Sequence, residues 1–421
     1  MTCDVGIVGA GPAGATAALL FARRGLDVVL VDRAWFPRPK PCGDCISPEA
    51  NRVLDRIGVL DDILAREPAR LAGWRITGPS GRTFVGRFAD IAPDDPMVGA
   101  SLALDRERLD AVLLGAAIRA GAVFVPGVRV SGVTCDALHA SLQGATADGA
   151  GFALRARLIV GADGLRSVVA RRLGLVRRPP RPRKISLTAH RIGIRGEEDL
   201  GEMHLGDGLC IGLAPAGWIG EAPGRALAWN VTLVADTDRY ARAPAAQPGT
   251  FFCRALECFP GLARRIDAAP PAPSAPDAPA DGLLRSGSFD VPVRACTAPR
   301  VALAGDAAGY YDPFTGQGIY QAVRGAELLV DATAAALLGR SSADVPLARY
   351  ALEHRTLVRG ARRVQRIIDA VLSRPRAADA AIAWLAARPA AVAALLAVTG
   401  DLAPPRTLLR PGTLLAMVAR A

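Results

Sequence analysis

The chain has 421 residues, 51% of them hydrophobic and 22% charged, a globular composition with room for two or three structural units. Aromatic residues make up only 5%, which argues against nucleic-acid stacking surfaces and aromatic-rich carbohydrate grooves. The net charge of +11 is carried almost wholly by arginine, since Lys40 and Lys184 are the only lysines. Eight cysteines are spread thinly along the chain and make no small disulfide scaffold. No basic segment precedes an apolar run at the N-terminus, as a signal peptide requires, and the uncharged stretch Val5 to Ala22 is broken by glycines and a proline. A cytoplasmic protein is expected.

Cys3 to Val8 is an apolar run of the length of a buried parallel strand. Gly9-Ala10-Gly11-Pro12-Ala13-Gly14 follows, then a predicted helix from Ala15 to Arg24 stopped by Gly25, then a second strand, Leu26 to Val31, ending in Asp32. This is G-x-G-x-x-G in a strand–turn–helix–strand setting. Gly9 makes the tight turn, Gly11 lets backbone approach a pyrophosphate, and Gly14 lets helix pack on strand. The helix N-terminus offers free N–H groups and a positive dipole end. Asp32 lies 18 residues after Gly14, suited to a ribose 2′-OH, and its charge disfavours a 2′-phosphate. Arg33 sits beside it. The bound nucleotide is therefore expected to be FAD or NAD.

Two later strands run into glycine turns with an acid. One is Leu158-Ile159-Val160-Gly161-Ala162-Asp163-Gly164. The other is Val301-Ala302-Leu303-Ala304-Gly305-Asp306-Ala307-Ala308-Gly309, which continues through Asp312-Pro313-Phe314-Thr315-Gly316-Gln317-Gly318-Ile319 into a helix of roughly twenty residues. Three such turns suit an extended ligand on a discontinuous domain.

With these motifs, the chain resembles the FAD-dependent group that includes geranylgeranyl reductases, single-component monooxygenases of the p-hydroxybenzoate hydroxylase fold, and flavin halogenases. The nearest pattern is the geranylgeranyl-reductase-like branch. It is carried by Pro37-Arg38-Pro39-Lys40-Pro41-Cys42-Gly43 with Ser47-Pro48, by Gly305 to Ile319, and by Gly400-Asp401-Leu402 with Leu408-Leu409-Arg410-Pro411. The resemblance implies FAD, with Asp306 on the ribityl chain and Gly316, Gln317, Gly318 and Ile319 aiming helix N–H groups at the flavin pyrimidine edge. A helix N-cap is the other reading of Asp306. Asp163 would sit near the pyrophosphate or pack its own turn. Arg106 would lie along the FAD or on a solvated helix face. NAD(P)H is expected only as a transient reductant, since no second G-x-G-x-x-G is present.

Cys42-Gly43-Asp44-Cys45 is a C-x-x-C, open to a redox dithiol, half a zinc site or coincidence. No second C-x-x-C or histidine pair completes a zinc site, so no metal is expected. The resemblance implies Cys42 packed near the flavin. Cys42, His190 and His204 are the candidate catalytic residues, the two histidines falling in predicted substrate-sheet strands.

The fold class is α/β: a discontinuous Rossmann-type FAD-binding domain (1–70, 101–180 and 291–340), an antiparallel β-sheet substrate domain (71–100 and 181–290) and a helical C-terminal region (341–421) packed on the outside. Gly78-Pro79-Ser80-Gly81 marks a hairpin, and Ala268 to Asp281 a Pro/Ala loop. The stretch Leu209-Cys210-Ile211-Gly212-Leu213-Ala214-Pro215 lacks the aromatics that line the lipid pocket of isoprenoid reductases. This tips the expected reaction to monooxygenation (hydroxylation or epoxidation) of an apolar or aromatic small molecule. Alkene reduction is the main alternative. Halogenation lacks the tryptophan motif, and a flavin-binding sensor is the non-enzymatic reading. Two arginine clusters, Arg171, Arg172, Arg177, Arg178, Arg181, Arg183 with Lys184, and Arg355, Arg359, Arg362, Arg363, Arg366, are solvated faces or docking sites for an acidic carrier protein, an anionic membrane surface or NAD(P)H phosphates.

Overall fold

The computed structural model describes residues 1–408 except 92–94, 96, 178–182, 221–222, 241–246, 274–278 and 288. Arg178, Arg181, Leu409, Arg410, Pro411 and part of the Pro/Ala loop lie outside the described residues.

The apolar N-terminal run forms the strand Thr2–Val8, wholly covered at its C-terminal half. It pairs in parallel with Gly151–Gly161 on one side and Val28–Val31 on the other. Val301–Leu303 and Val123–Val125 extend the sheet in parallel at either side. Val8 is level with Gly161 and Val31, and Gly161 with Leu303. The register therefore brings the turns at Gly9, Asp32, Asp163 and Gly305 to one edge, the carboxyl ends of parallel strands. That is where ligands bind in open α/β sheets. Two further strands, Val123–Val125 and Arg129–Cys135, follow one another, the latter in an antiparallel flap on Ala140–Ala145.

A second sheet runs in the order Leu284–Gly287, Lys184–Ile192, Ala226–Asp236, Leu209–Ile219, Leu200–Leu205, Gly73–Thr77, Thr83–Arg87. Its pairings are antiparallel except that Leu200–Leu205 runs parallel to Gly73–Thr77, so the sheet is mixed at this one place. Gly78 N–H donates to Arg82 O at 2.8 Å, closing the predicted hairpin.

The long helix Gly318–Leu338 packs on the first helix, Pro12–Arg23. Helices Asp344–Leu372, Pro375–Ala386 and Pro389–Thr399 complete the described chain. They are not simply packed on the outside. The last two lie on the strand Thr83–Arg87, so close that a Cβ on Gly86 would meet Val392 Cγ1 at 2.6 Å. No single helix among the described residues is long and apolar enough to cross a membrane.

Candidate functional site

A cavity of about 1670 Å³ runs from the glycine turns to the space between the mixed sheet and the C-terminal helices. A single small-molecule pocket is about 300–1,000 Å³, so this one has room for an extended dinucleotide and a second molecule. Of the residues expected to hold cofactor, Gly9, Gly11, Pro12, Ala13, Asp32, Arg33, Cys42, Gly43, Arg106, Asp163, Gly305, Asp306, Gly316, Gly318 and Ile319 line it. Gly14 and Gln317 do not.

Gly14 works on packing: a Cβ there would stand 1.8 Å from Gly9 O. Gly11 has an ordinary φ of −74° and is needed for space. A Cβ on it would point into the cavity, its nearest neighbours Arg38 Nη2 and Arg106 Nη2, both at 3.7 Å. Asp32 accepts from Ala10 N–H (2.8 Å) and Ala34 N–H (2.9 Å), which fixes its carboxylate at the cavity wall.

Three cations converge on this turn. Arg106 makes a bidentate pair with fully buried Asp110, at 2.7 and 2.8 Å. Burial is the largest single influence and opposes its charge, but Asp110 and Cys42 together outweigh it and the pKa is raised. Arg106 is therefore not on a solvated face. Arg38 Nη1 is 3.3 Å from Asp110 Oδ2, yet it is buried without an aligned hydrogen-bond acceptor. Burial pulls the Arg38 pKa down, against Asp110. Lys40 is pulled down by burial and by repulsion from Arg38 and Arg106. Burial pushes Asp306 up, while Lys40 and Arg106 hold it down. This cluster of three largely buried cations, with one orphaned donor, faces a glycine cradle that a Cβ would fill. The pyrophosphate of a dinucleotide fits both features.

Asp163 is committed elsewhere. Its carboxylate accepts from Ser167 Oγ (2.6 Å) and from the N–H groups of Val168 (2.6 Å) and Val169 (3.3 Å), capping the helix Val168–Arg172. This supports the turn-packing reading over pyrophosphate contact. Gln317 likewise turns its side chain away, donating to Asp401 Oδ1 (2.6 Å) and Val398 O (3.2 Å). Asp401 also accepts from Ser47 Oγ at 2.9 Å, which ties the turn after the helix Pro389–Thr399 to the Cys42 loop region. Burial pushes Asp401 up to about 8, against both hydrogen bonds. A folded-state value above the unfolded one stabilises the fold at low pH, and that contribution is lost as pH rises through about 8. We expect this contribution to lower the melting temperature between roughly pH 4 and 8 and to level off above that, and Asp401→Asn, which stays neutral, to flatten the decline.

The candidate catalytic residues fare differently. Cys42 lines the cavity beside Arg106, but burial raises its pKa and keeps it a thiol. Cys45 is raised well above its ordinary value by burial and by Asp44. Two neutral thiols make a poor redox dithiol. Neither histidine lines the cavity. His204 sits against Glu202 (2.9 Å), which also takes a bidentate pair from Arg265. His190 Nε2 is 2.6 Å from Asp44 Oδ2. Burial is the largest single influence and opposes its charged form, but Asp44, with Asp105 and Glu107, outweighs it and raises the pKa.

Asp44 is fully buried with a left-handed φ of 59°. Asn230 Nδ2 donates to Asp44 Oδ2 (2.6 Å) and to Cys42 O (2.7 Å), while Thr232 Oγ1 donates to Asn230 Oδ1 (2.7 Å). The Cys42–Cys45 loop is thus clamped onto the mixed sheet, and His190 acts on it through Asp44. Lys184 lines the cavity but lies between Asp312 (2.6 Å) and Asp369 (2.7 Å). With Arg183, which pairs with Asp369, it belongs to an interior ion cluster, so the first arginine cluster is not one solvated face. Among the described residues no group of histidine, cysteine and acidic side chains is placed to hold a metal.

This fold and site fit a protein that binds FAD. Residues 2–200 match the family described as FAD binding domain. A menaquinone reductase of Mycobacterium tuberculosis is 39% identical over 173 residues, 41% of this chain and 40% of that protein. The matched part is therefore well under half of that relative's length. A digeranylgeranylglycerophospholipid reductase of Methanothermobacter thermautotrophicus is 29% identical over 361 residues, 82% of this chain and 80% of that protein. Among solved structures, a flavoprotein/dehydrogenase from Cytophaga hutchinsonii superposes with a TM-score of 0.80 at 17% identity, covering 100% of this chain and 98% of that one. A myxobacterial chondrochloren halogenase gives 0.76 at 19%, covering 95% and 97%. At such identities the structures speak to fold alone. Residues 2–200 therefore carry an FAD binding domain.

Proposed function

We propose that the protein reduces a carbon–carbon double bond in an apolar, prenyl-type substrate, with NAD(P)H as external donor. The observation that carries this reading is the apolar half of the cavity, walled by Trp74, Ile76, Phe84 and Leu213 of the mixed sheet and by Leu372, Ile382, Trp384, Leu385, Val392 and Leu396 of the C-terminal helices. The names of the menaquinone and digeranylgeranylglycerophospholipid reductases support it. The stretch Leu209 to Pro215 does lack aromatics, and its cavity-lining Cys210, Gly212 and Ala214 are small; Trp218, further along the same strand, does not line the cavity. Aromatic surface comes instead from Trp74, Phe84, Phe314 and Trp384, so the expected tilt toward oxygenation loses its ground. Lys184 is engaged by two carboxylates, which weighs against a free catalytic ammonium of the halogenase type.

Bound FAD supplies two-electron transfer between donor and substrate. The chain's own residues bind and orient: Arg38, Lys40 and Arg106 hold the anionic middle of the cofactor, Asn230 fixes the Cys42 loop, and the helices exclude water. Oxygenation is the second reading. Thr188, Asn230 and Thr232 form a polar strip on the cavity wall that suits a hydroxyl-bearing substrate. The test is chemically reduced protein with a prenylated quinone in the absence of air. A product whose prenyl chain has gained two hydrogens across one carbon–carbon double bond, beyond any reduction of the quinone ring to the quinol, is the expected result. A product that forms only in air and carries label from isotopically heavy oxygen would overturn the reductase reading.

A further inference from the structure

The helix Asp344–Leu372 buries one face, with Leu347, Tyr350, Val358 and Val364, against the rest of the molecule. The opposite face carries Arg355, Arg359, Arg363 and Arg366, all exposed. Their spacing of four, four and three residues keeps them within about a third of the helix circumference. Arg362, grouped with them on sequence, turns inward and donates to Gly309 O at 2.7 Å. Arg355, Arg359 and Arg363 have no ion-pair partner among the described residues. The acids on this helix are engaged elsewhere: Glu353 pairs with Arg349, and Asp369 with Arg183 and Lys184. The same sector exposes Leu352 (67%) and Ile367 (51%). Ile367 also lines the cavity, so the strip reaches the place where the cavity opens to the surface.

We propose that this strip docks the protein on an anionic phospholipid surface, with the cavity opening toward the bilayer. This rests on the reading that the cavity takes an apolar substrate. Unpaired arginines interleaved with exposed Leu352 and Ile367 match the two parts of a membrane interface, anionic headgroups and the acyl boundary. The arginines span on the order of 16 Å, longer than the diphosphate of one nucleotide needs. A docking face for an acidic protein has no reason to run into the substrate cavity. A face that receives a lipid does, since the substrate then passes from bilayer to cavity without crossing water.

The experiment is co-sedimentation of the full-length, flavin-loaded protein with vesicles of phosphatidylcholine, with and without phosphatidylglycerol. Binding to the anionic vesicles, absence of binding to the neutral ones, and release by added salt are expected. Each arginine near an anionic surface contributes roughly fivefold, so R355Q/R359Q/R363Q lowers partitioning on the order of a hundredfold. Flavin absorbance and the unfolding midpoint of that variant stay unchanged, which separates docking from folding. Ile367→Asp weakens vesicle binding as well. Equal binding to both vesicle types, no binding to either, or an unaffected triple variant would overturn the proposal. Capture by an acidic polypeptide without vesicle binding would overturn it too, and would assign the strip to a protein partner. No substrate or turnover enters the measurement, so its failure and that of the reductase reading are told apart.

Discussion

Gly11→Val is expected to give a folded protein that no longer retains flavin. The backbone at Gly11 is in a region open to any residue, so the substitution adds no conformational strain. The nearest atoms to a new Cβ are the far ends of Arg38 and Arg106, at 3.7 Å, an ordinary contact distance. The valine methyls would instead fill the gap between the turn and the two guanidinium groups, where the pyrophosphate must approach. A loss of cofactor affinity on the order of a hundredfold or more, with a circular dichroism spectrum and unfolding midpoint close to those of the parent, is the expected signature. Gly14→Ala is the contrast. Its Cβ would overlap Gly9 O at 1.8 Å, so the first helix could not keep its place and stability itself would fall.

Arg106→Met should be more damaging to the fold than its length suggests. Asp110 is fully buried and takes both of its aligned side-chain hydrogen bonds from Arg106. Methionine matches the volume of the stem but leaves that carboxylate with no aligned hydrogen-bond donor and only the Arg38 guanidinium, 3.3 Å away, as countercharge. Breaking a buried pair in this way costs about 3–5 kcal/mol. The double replacement Arg106→Met with Asp110→Leu should recover much of that loss, because removing both charges also removes the desolvation cost. Flavin binding should not recover, since Arg106 also supplies charge at the glycine turn. Chemical denaturation of the three proteins, with flavin content measured in each, checks both halves.

The nucleotide end was legible because its requirements are local. A strand followed by Gly9, Gly11 and Gly14 states a turn, a close approach and a packing contact within six positions, and Asp32 stands at the end of the next strand. The rest of the site is built from residues far apart in the chain. Asn230 reaches Asp44 across 186 positions, and Lys184 reaches Asp312 across 128. Neither pairing leaves a periodic trace. Asp163 shows the limit of motif reading: an acid in a glycine turn suits ligand contact and turn packing alike, and only the hydrogen bond from Ser167, four residues on, favours the second. The C-terminal helices show another. Apolar spacing tells which face of a helix is covered, not that the cover is a cavity it helps to wall. Arg38 and Lys40 were visible in the proline-rich loop, but only the fold sets their charges against Gly11.

The central claim is that one FAD lies along the cavity from Gly11 to Gly318. Its most direct test is the absorbance spectrum of the purified chain, followed by release of the chromophore by heat and its identification by mass. A yellow protein that releases FAD, or an apoprotein that takes it up to one molecule per chain, is the predicted result. A colourless chain that refuses added FAD, and whose melting temperature the flavin does not move, would contradict it.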